Sequence, residues 1–370
     1  MKFSINQKTL NDILSITAKG VSARSNMPAL AGVYVEANEN EVSIRSTNLE
    51  LSVSVSAPAL IEEDGSALLP AKLFSDIVST FKDEAVSVST TEENAEISCD
   101  KSNFNIRVMN ATDFPPFPEV EATQTVTLPF KEFSSMVKKV AKMVSRDESR
   151  AILQGVNINY ENGTLEMVAT DAYRIAVAKK EMNIDGVENF NAVIPGAFLM
   201  DVAGLSGEIE NAQVSLSQNQ VVVTCNDIVF VNRRIEGNFP DYKQLLPEEK
   251  AMVAKINNAE LADAVRRISV LSAHSPVVKF TFDNTAGVVK LDGTAQDVGS
   301  CEESITCDFE QFNEEDAVLI AFNCHYVLEG LACIDTEKVK IEIAKDSARA
   351  VFYDESGQNL IYVLLPVRVA

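Results

Sequence analysis

One grammar recurs three times along this chain, and that repeat limits the possible folds more than any other feature. Each copy opens with an amphipathic helix pattern: Thr9-Leu10-Asn11-Asp12-Ile13-Leu14, Glu132-Phe133-Ser134-Ser135-Met136-Val137 and Glu260-Leu261-Ala262-Asp263-Ala264-Val265. The anchors Leu10, Phe133 and Leu261 are spaced 123 and 128 residues apart. A second helix pattern follows in each copy, beginning at Leu69-Pro70-Ala71, Ile194-Pro195-Gly196 and Phe322-Asn323-Cys324. Thr47, Thr170 and Thr294 mark the same strand-to-turn step. Repeats of about 20–50 residues build solenoids. A period this long means three copies of a whole domain, each able to bury a core of its own.

The predicted elements are helices over 5–21, 70–81, 129–145 and 195–205, with strands near 85–90, 94–99 and 103–109. Alternation such as Leu51-Ser52-Val53-Ser54-Val55-Ser56 is the period-2 mark of a half-buried strand. Proline-rich Asp113-Phe114-Pro115-Pro116-Phe117-Pro118 interrupts regular structure and leads to the first junction. Gly237-Asn238-Phe239-Pro240-Asp241-Tyr242 marks the second. The expected domains are 1–120, 121–246 and 247–370. Strands outnumber helices, so the expected class is α+β, with antiparallel sheet and two helices per copy.

The start of the chain shows no secretory pattern, and no apolar run reaches the length of a membrane span. The six cysteines form no Cys-x-x-Cys pair, which points to reduced thiols in a cytoplasmic protein and to no structural metal. Enzyme signatures are missing too. The chain has no phosphate loop, dinucleotide fingerprint or nucleophile elbow. Its two histidines, His274 and His325, both fall in the third copy, where surface or capping roles are expected. The acidic pairs Glu62-Glu63, Glu302-Glu303 and Glu314-Glu315 read as solvated faces. No catalytic residue and no cofactor are expected.

A net charge of −22 repels phosphates at long range, but local distribution matters more than the sum. Residues 131–150 carry six Lys/Arg against three Asp/Glu. At 100° per residue, Lys131, Lys138, Lys142 and Arg146 share one stripe, while Phe130, Phe133, Val137, Ala141 and Val144 share another. Such a helix can bury its apolar face and present cations outward. Contacts of this kind would grip phosphates without reading sequence.

Four blocks, in order along the repeat, now bear on identity. They are Arg24-Ser25-Asn26-Met27-Pro28-Ala29-Leu30, Ala169-Thr170-Asp171-Ala172-Tyr173-Arg174-Ile175-Ala176, Gly237 to Tyr242, and Val363-Leu364-Leu365-Pro366-Val367-Arg368. With them the whole chain resembles the bacterial sliding clamp family, the β subunit of the replicative DNA polymerase. The resemblance implies a head-to-tail homodimer whose six domains close a ring around double-stranded DNA, with no catalysis. It implies sequence-independent contact with DNA, a clamp loader, the replicative polymerase, and translesion polymerases and repair proteins that bind through short linear motifs.

Matched onto this sequence, the family's partner groove would use Leu153, Thr170, Ala172, Tyr173, Arg174, Ile175, Pro240, Leu245, Val363, Leu365, Pro366, Val367 and Arg368. Ala172 and Tyr173 stand where some members carry Gly-His, and Leu365 where others have Met. The ring interface would use Phe104 and Ile106 on one side, Val270 and Leu271 on the other. DNA contacts would come from Arg24, the stripe from Lys131 to Arg146, Arg150 and Arg266. The loop 147–152 lacks the aromatic residues of some members and keeps Arg150 for phosphate. Two other classes remain open on the residues alone: a β-rich adhesion module, and an enzyme with a site at a domain junction.

Overall fold

The computed structural model describes residues 1–182, 184, 188–271, 276–296, 298–313, 317–346, 348–357 and 359–367. Its contacts separate two compact units, Met1–Ser134 with Asp201–Arg234, and Ser135–Met200 with Ile235–Ala370. Each unit therefore holds one terminal copy of the repeat and part of the middle copy.

The first unit contains two antiparallel sheets. Five strands run in the order Leu60–Glu63, Lys2–Asn6, Ala85–Thr90, Asn94–Cys99, Ser102–Arg107. Eight run Gln124–Pro129, Asn211–Leu216, Gln220–Cys225, Ile228–Arg233, Ser52–Pro58, Glu41–Thr47, Gly32–Asn38, Gly65–Pro70. The eight-stranded sheet joins two copies of the repeat through one strand pair, with Ile228 opposite Val55 and Val231 opposite Ser52. Pairing across the junction removes two sheet edges that would otherwise invite association.

The second unit uses the same device. Its nine-stranded sheet runs Phe190–Pro195, Gly155–Glu161, Thr164–Thr170, Arg174–Glu181, Leu360–Leu364, Ala350–Tyr353, Lys338–Ala344, Lys250–Asn257, Asp308–Phe312. Arg174 opposes Leu364 and Ala178 opposes Leu360, so the last strand of the chain seals the junction. A four-stranded sheet, Gly299–Thr306, Val288–Ala295, Val277–Asp283, Val318–Asn323, completes the unit. An aromatic chain fills its core: Phe280 to Phe322 at 5.5 Å, Phe322 to Phe352 at 6.2 Å and Phe352 to Tyr362 at 6.2 Å between ring centroids.

Six α-helices lie among the described residues: α1 Gln7–Thr17, α2 Ala71–Ser79, α3 Phe130–Val140, α4 Gly196–Ala203, α5 Asn258–Ile268 and α6 Cys324–Leu331. Their apolar stripes go inward. On α5 Leu261, Ala264, Val265 and Ile268 are buried, at helical spacing. Asparagine starts three of the six. Asn6 Oδ1 accepts the Lys8 amide at 2.9 Å, Asn257 Oδ1 the Glu260 amide at 3.0 Å, and Asn323 Oδ1 the His325 amide at 2.9 Å. Each bond satisfies a backbone donor that the helix start leaves free.

Two sequence expectations need correction here. The first helix begins at Gln7, because residues Lys2–Asn6 form a strand with Phe3 and Ile5 buried and Asn6 already committed as the cap. The third helix ends at Val140 and continues only as a 3-10 turn over Ala141–Met143. The Ser145 amide then donates to the Leu153 carbonyl at 2.8 Å, drawing the chain off the helix axis. Arg146 is therefore not on the helical stripe.

Five cysteines are buried and Cys301 is partly exposed; all six are unpaired. Burial pushes the Cys225 and Cys333 thiols up to about 11 and Cys307 to about 12. Thiolate is the reactive form, so these three stay inert while the chain is folded. Iodoacetamide applied to the native protein at about pH 8 is expected to label Cys301 first. Peptide mapping that found Cys225 labelled as fast would contradict the packing described here.

Candidate functional site

An apolar cavity of about 370 Å³ opens in the second unit where three segments meet: the turn Thr170–Arg174, the loop Phe239–Leu245 and the end of the last strand. Ten of the thirteen residues expected to form the partner groove line it, from Leu153 on one wall to Val363 and Leu365 on another. Pro366 and Val367 continue directly from Leu365. Arg368 lies outside the described residues.

The turn is built by side chains bonding their own backbone. Thr170 Oγ1 accepts the Ala172 amide at 3.1 Å and donates to the Arg174 carbonyl at 2.8 Å. Asp171 Oδ1 accepts the amides of Tyr173 and Arg174 at 3.0 and 3.1 Å. Together these bonds hold Ala172 at φ +76°, a conformation costly for a residue with a Cβ. The same device recurs one repeat earlier. Thr47 Oγ1 accepts the Leu49 amide, Asn48 Oδ1 accepts those of Glu50 and Leu51, and Leu49 also sits at φ +76°. Thr294 differs, because its strand runs on to Ala295.

A firm floor underlies the opening. Val168, Ile175, Tyr242 and Val363 are buried in one hydrophobic cluster, with Phe239 packed against it. Tyr242 donates to Glu166 Oε2 at 2.7 Å, and Lys179 meets the same oxygen at 3.0 Å. Burial, and then the Glu166 carboxylate, push the Tyr242 hydroxyl well above its ordinary range, so it stays a donor. The Leu365 amide donates to the Tyr173 carbonyl at 3.0 Å and the Val367 amide to Ala321 at 2.8 Å, which ties the tail beside the mouth. Tyr173, 63% exposed, stands at that mouth with Leu365 and Leu245. Apolar floor, aromatic rim and pre-set turn suit one or two apolar anchors of a peptide.

Sequence reasoning missed Val168, Phe239 and Tyr242. Phe239 and Tyr242 flank Pro240 in a block already singled out, so that block held the signal. Arg150, expected as a phosphate contact, also lines this cavity.

The remaining cations are dispersed. Lys131 and Lys138 are exposed on α3, Lys142 on the 3-10 turn after it, and Arg24 and Arg146 in loops. Arg266, on α5, is exposed and paired with Asp263. Phe104 is 39% exposed on the edge strand Ser102–Arg107, with Ile106 buried beside it. Val270 is 80% exposed just after α5, and Leu271 is half-buried. His325 is exposed, and His274 with Glu314 and Glu315 falls outside the described residues. Among the described residues no three His, Cys, Asp or Glu side chains converge to hold a metal, and no helix is long and apolar enough to cross a membrane.

Comparison with known proteins adds independent findings. Sequence models of the DNA polymerase III beta subunit match in order: its N-terminal domain over residues 1–118, its central domain over 127–241 and its C-terminal domain over 243–368. A beta sliding clamp of Staphylococcus epidermidis is 29% identical over 381 residues, spanning 100% of this chain and 99% of that protein. The crystal structure of a DNA polymerase sliding clamp from Bacillus subtilis aligns with a TM-score of 0.92 and 25% identity, covering 100% of both chains. The beta subunit from a Streptococcus pyogenes DNA polymerase aligns at 0.90 and 26%, again covering 100% of both. Three family domains matched in sequence order, on a fold shared along the whole chain, show that this protein belongs to the DNA polymerase III beta subunit family, the bacterial sliding clamps.

Proposed function

We propose that two copies of this chain close head to tail into a ring around double-stranded DNA, and that the cavity at the Thr170–Arg174 turn holds short peptides of its partners. The chain serves DNA replication as a sliding clamp. It acts without catalysis, in the cytoplasm, and its partners are the replicative polymerase, a clamp loader, and translesion and repair proteins bearing linear motifs. Its domains are taken as 1–120, 121–246 and 247–370. Encirclement replaces tight binding, so loose phosphate contacts from Arg24, Lys131, Lys138, Lys142, Arg146 and Arg266 suffice and permit sliding. A partner held in the cavity gains effective concentration at the primer end without any new contact to DNA.

Support for closure comes from two strand edges without a partner among the described residues, Ser102–Arg107 in one sheet and Gly299–Thr306 in another. Phe104, Ile106, Val270 and Leu271 would supply the apolar contact. Identical chains joined by unlike surfaces form a closed ring when the rotation allows.

The observation that carries the peptide reading is the cavity itself, apolar and pre-formed, with Leu365 at its mouth. Leu365→Ala is expected to weaken binding of a synthetic peptide with Leu and Phe anchors about tenfold, a loss of about 1.4 kcal/mol. Isothermal titration gives the affinity, and sedimentation should show an unchanged dimer. Loss of the dimer in that variant would mean that the tail is structural, and unchanged affinity would remove Leu365 from the site.

A further inference from the structure

The two sides of the partner cavity are held differently. On the turn side Arg174, its side chain only 7% exposed, donates through Nε to Asp171 Oδ2 at 3.0 Å and through Nη1 to Glu329 on α6. With the Tyr326 ring centroid 4.2 Å from the Arg174 Cζ, that side is braced from within. The other side is the loop that carries Phe239, Pro240, Tyr242 and Leu245. Behind this loop lies a second cavity of about 560 Å³, polar and open, with Gln244, Leu246 and Arg349 in its lining. A wall with a hollow on both faces lacks the close packing that locates an interior segment, so bonds must place it.

Two bonds do so, and each comes from a residue outside the cavity lining. Glu166 Oε2 accepts the Tyr242 hydroxyl at 2.7 Å, and Lys179, opposite Glu166 in the strand pair, meets the same oxygen at 3.0 Å. Glu166 is thereby fixed on the sheet, and it fixes the Tyr242 ring in the floor. At the mouth, Arg349 Nη1 donates to the Leu245 carbonyl at 3.2 Å, reaching it from the polar cavity. Leu245 is 37% exposed, so packing alone holds it loosely. Each bond has one charged member, which makes it stronger than a neutral pair. All four residues belong to the second unit.

We infer that Glu166 and Arg349 are positioning residues that fix the loop wall of the cavity, and thereby decide what size of apolar anchor a partner peptide can carry. This rests on the peptide-binding role proposed above. The hydroxyl bond sets the depth at Tyr242, and the guanidinium bond sets the width at Leu245. A pocket of fixed width rejects a larger side chain, because overpacking forces side chains and backbone to shift. Freed of either bond, the wall yields toward the polar cavity. It then admits a larger anchor and holds the smaller one less closely, because the site is no longer pre-organised.

The test titrates the full chain calorimetrically with the synthetic Leu/Phe peptide and with the same peptide carrying Trp in place of Phe. Wild type should prefer the Phe form about tenfold or more, the scale on which a packed pocket discriminates size. Glu166→Ala and Arg349→Ala should each bring the two affinities within about threefold of one another. Glu166→Gln and Arg349→Lys should keep the preference, since an amide oxygen still accepts the Tyr242 hydroxyl and an ammonium still donates to one carbonyl. Should Glu166→Ala fail to fold, Tyr242→Phe removes the same bond from its other end, keeps the ring, and should lose the preference likewise. A merely structural role would lower the melting temperature and both affinities together and leave their ratio standing, which overturns the inference. Equal affinities in wild type overturn it as well and spare the cavity reading. Failure of both peptides to bind wild type overturns the cavity reading with it.

Discussion

Phe352→Ala is expected to lower the free energy of unfolding by about 3–5 kcal/mol. The side chain is fully buried and sits between Phe322, edge-on at 6.2 Å, and Tyr362 at the same distance. Its removal forfeits transfer energy, leaves a cavity and breaks two aromatic contacts of about 0.5–1.5 kcal/mol each. Relaxation is limited on one side. Gly330 on α6 lies so close to Tyr362 that a Cβ there would overlap the ring, so the ring is already pressed against backbone. Against a total stability of about 5–15 kcal/mol, such a loss consumes much of the margin. Urea titration followed by far-UV circular dichroism measures it. A change under about 1 kcal/mol would mean the rings do not form one packed chain.

Truncation after Leu364 is the other large expected effect, and it falls on binding rather than stability. The last strand ends at Leu364, so its ladder with Arg174–Glu181 is kept. What goes is Leu365 at the cavity mouth and two backbone bonds, to Tyr173 and to Ala321. Tyr173 is exposed, and although Ala321 is buried, removal of the tail vacates the place beside its carbonyl for water, which replaces the lost donors at small cost. The cavity loses a wall, and the turn loses the Leu365 amide that anchored the Tyr173 carbonyl. Affinity for the Leu/Phe peptide should fall about 30-fold or more, the scale of a binding hot spot. Circular dichroism and sedimentation of the same sample should match the full chain. Binding within about threefold of the full chain would show that the apolar floor alone recognises the peptide.

The helices were legible because burial there is local. Leu10, Ile13 and Leu14, or Leu261, Ala264 and Val265, show their stripe within one turn. The first strand was lost because the expected helix ran back to Ile5, and only the cap at Asn6 separates the two elements. Arg146 was misplaced for a related reason. The 3.6-residue period extrapolates smoothly past Val140, whereas the chain turns away under a backbone bond between Ser145 and Leu153. Most of the cavity was legible as short blocks matched to the family, including Ile175 and Val363 of its floor. Val168 and Tyr242 were not, since they meet Val363 only through the register of the last strand, with Arg174 opposite Leu364, and the turn that carries Tyr242. Arg174 and Glu329 stand 155 residues apart, and nothing in local spacing links them.

Encirclement is the central claim, and topology tests it directly. The protein is loaded on nicked circular DNA by a clamp loader with ATP, free protein is removed, and the circle is then cut. The ring account predicts stable retention on the circle and release from its ends once the DNA is linear. Equal retention on both forms would mean ordinary surface binding and would contradict it.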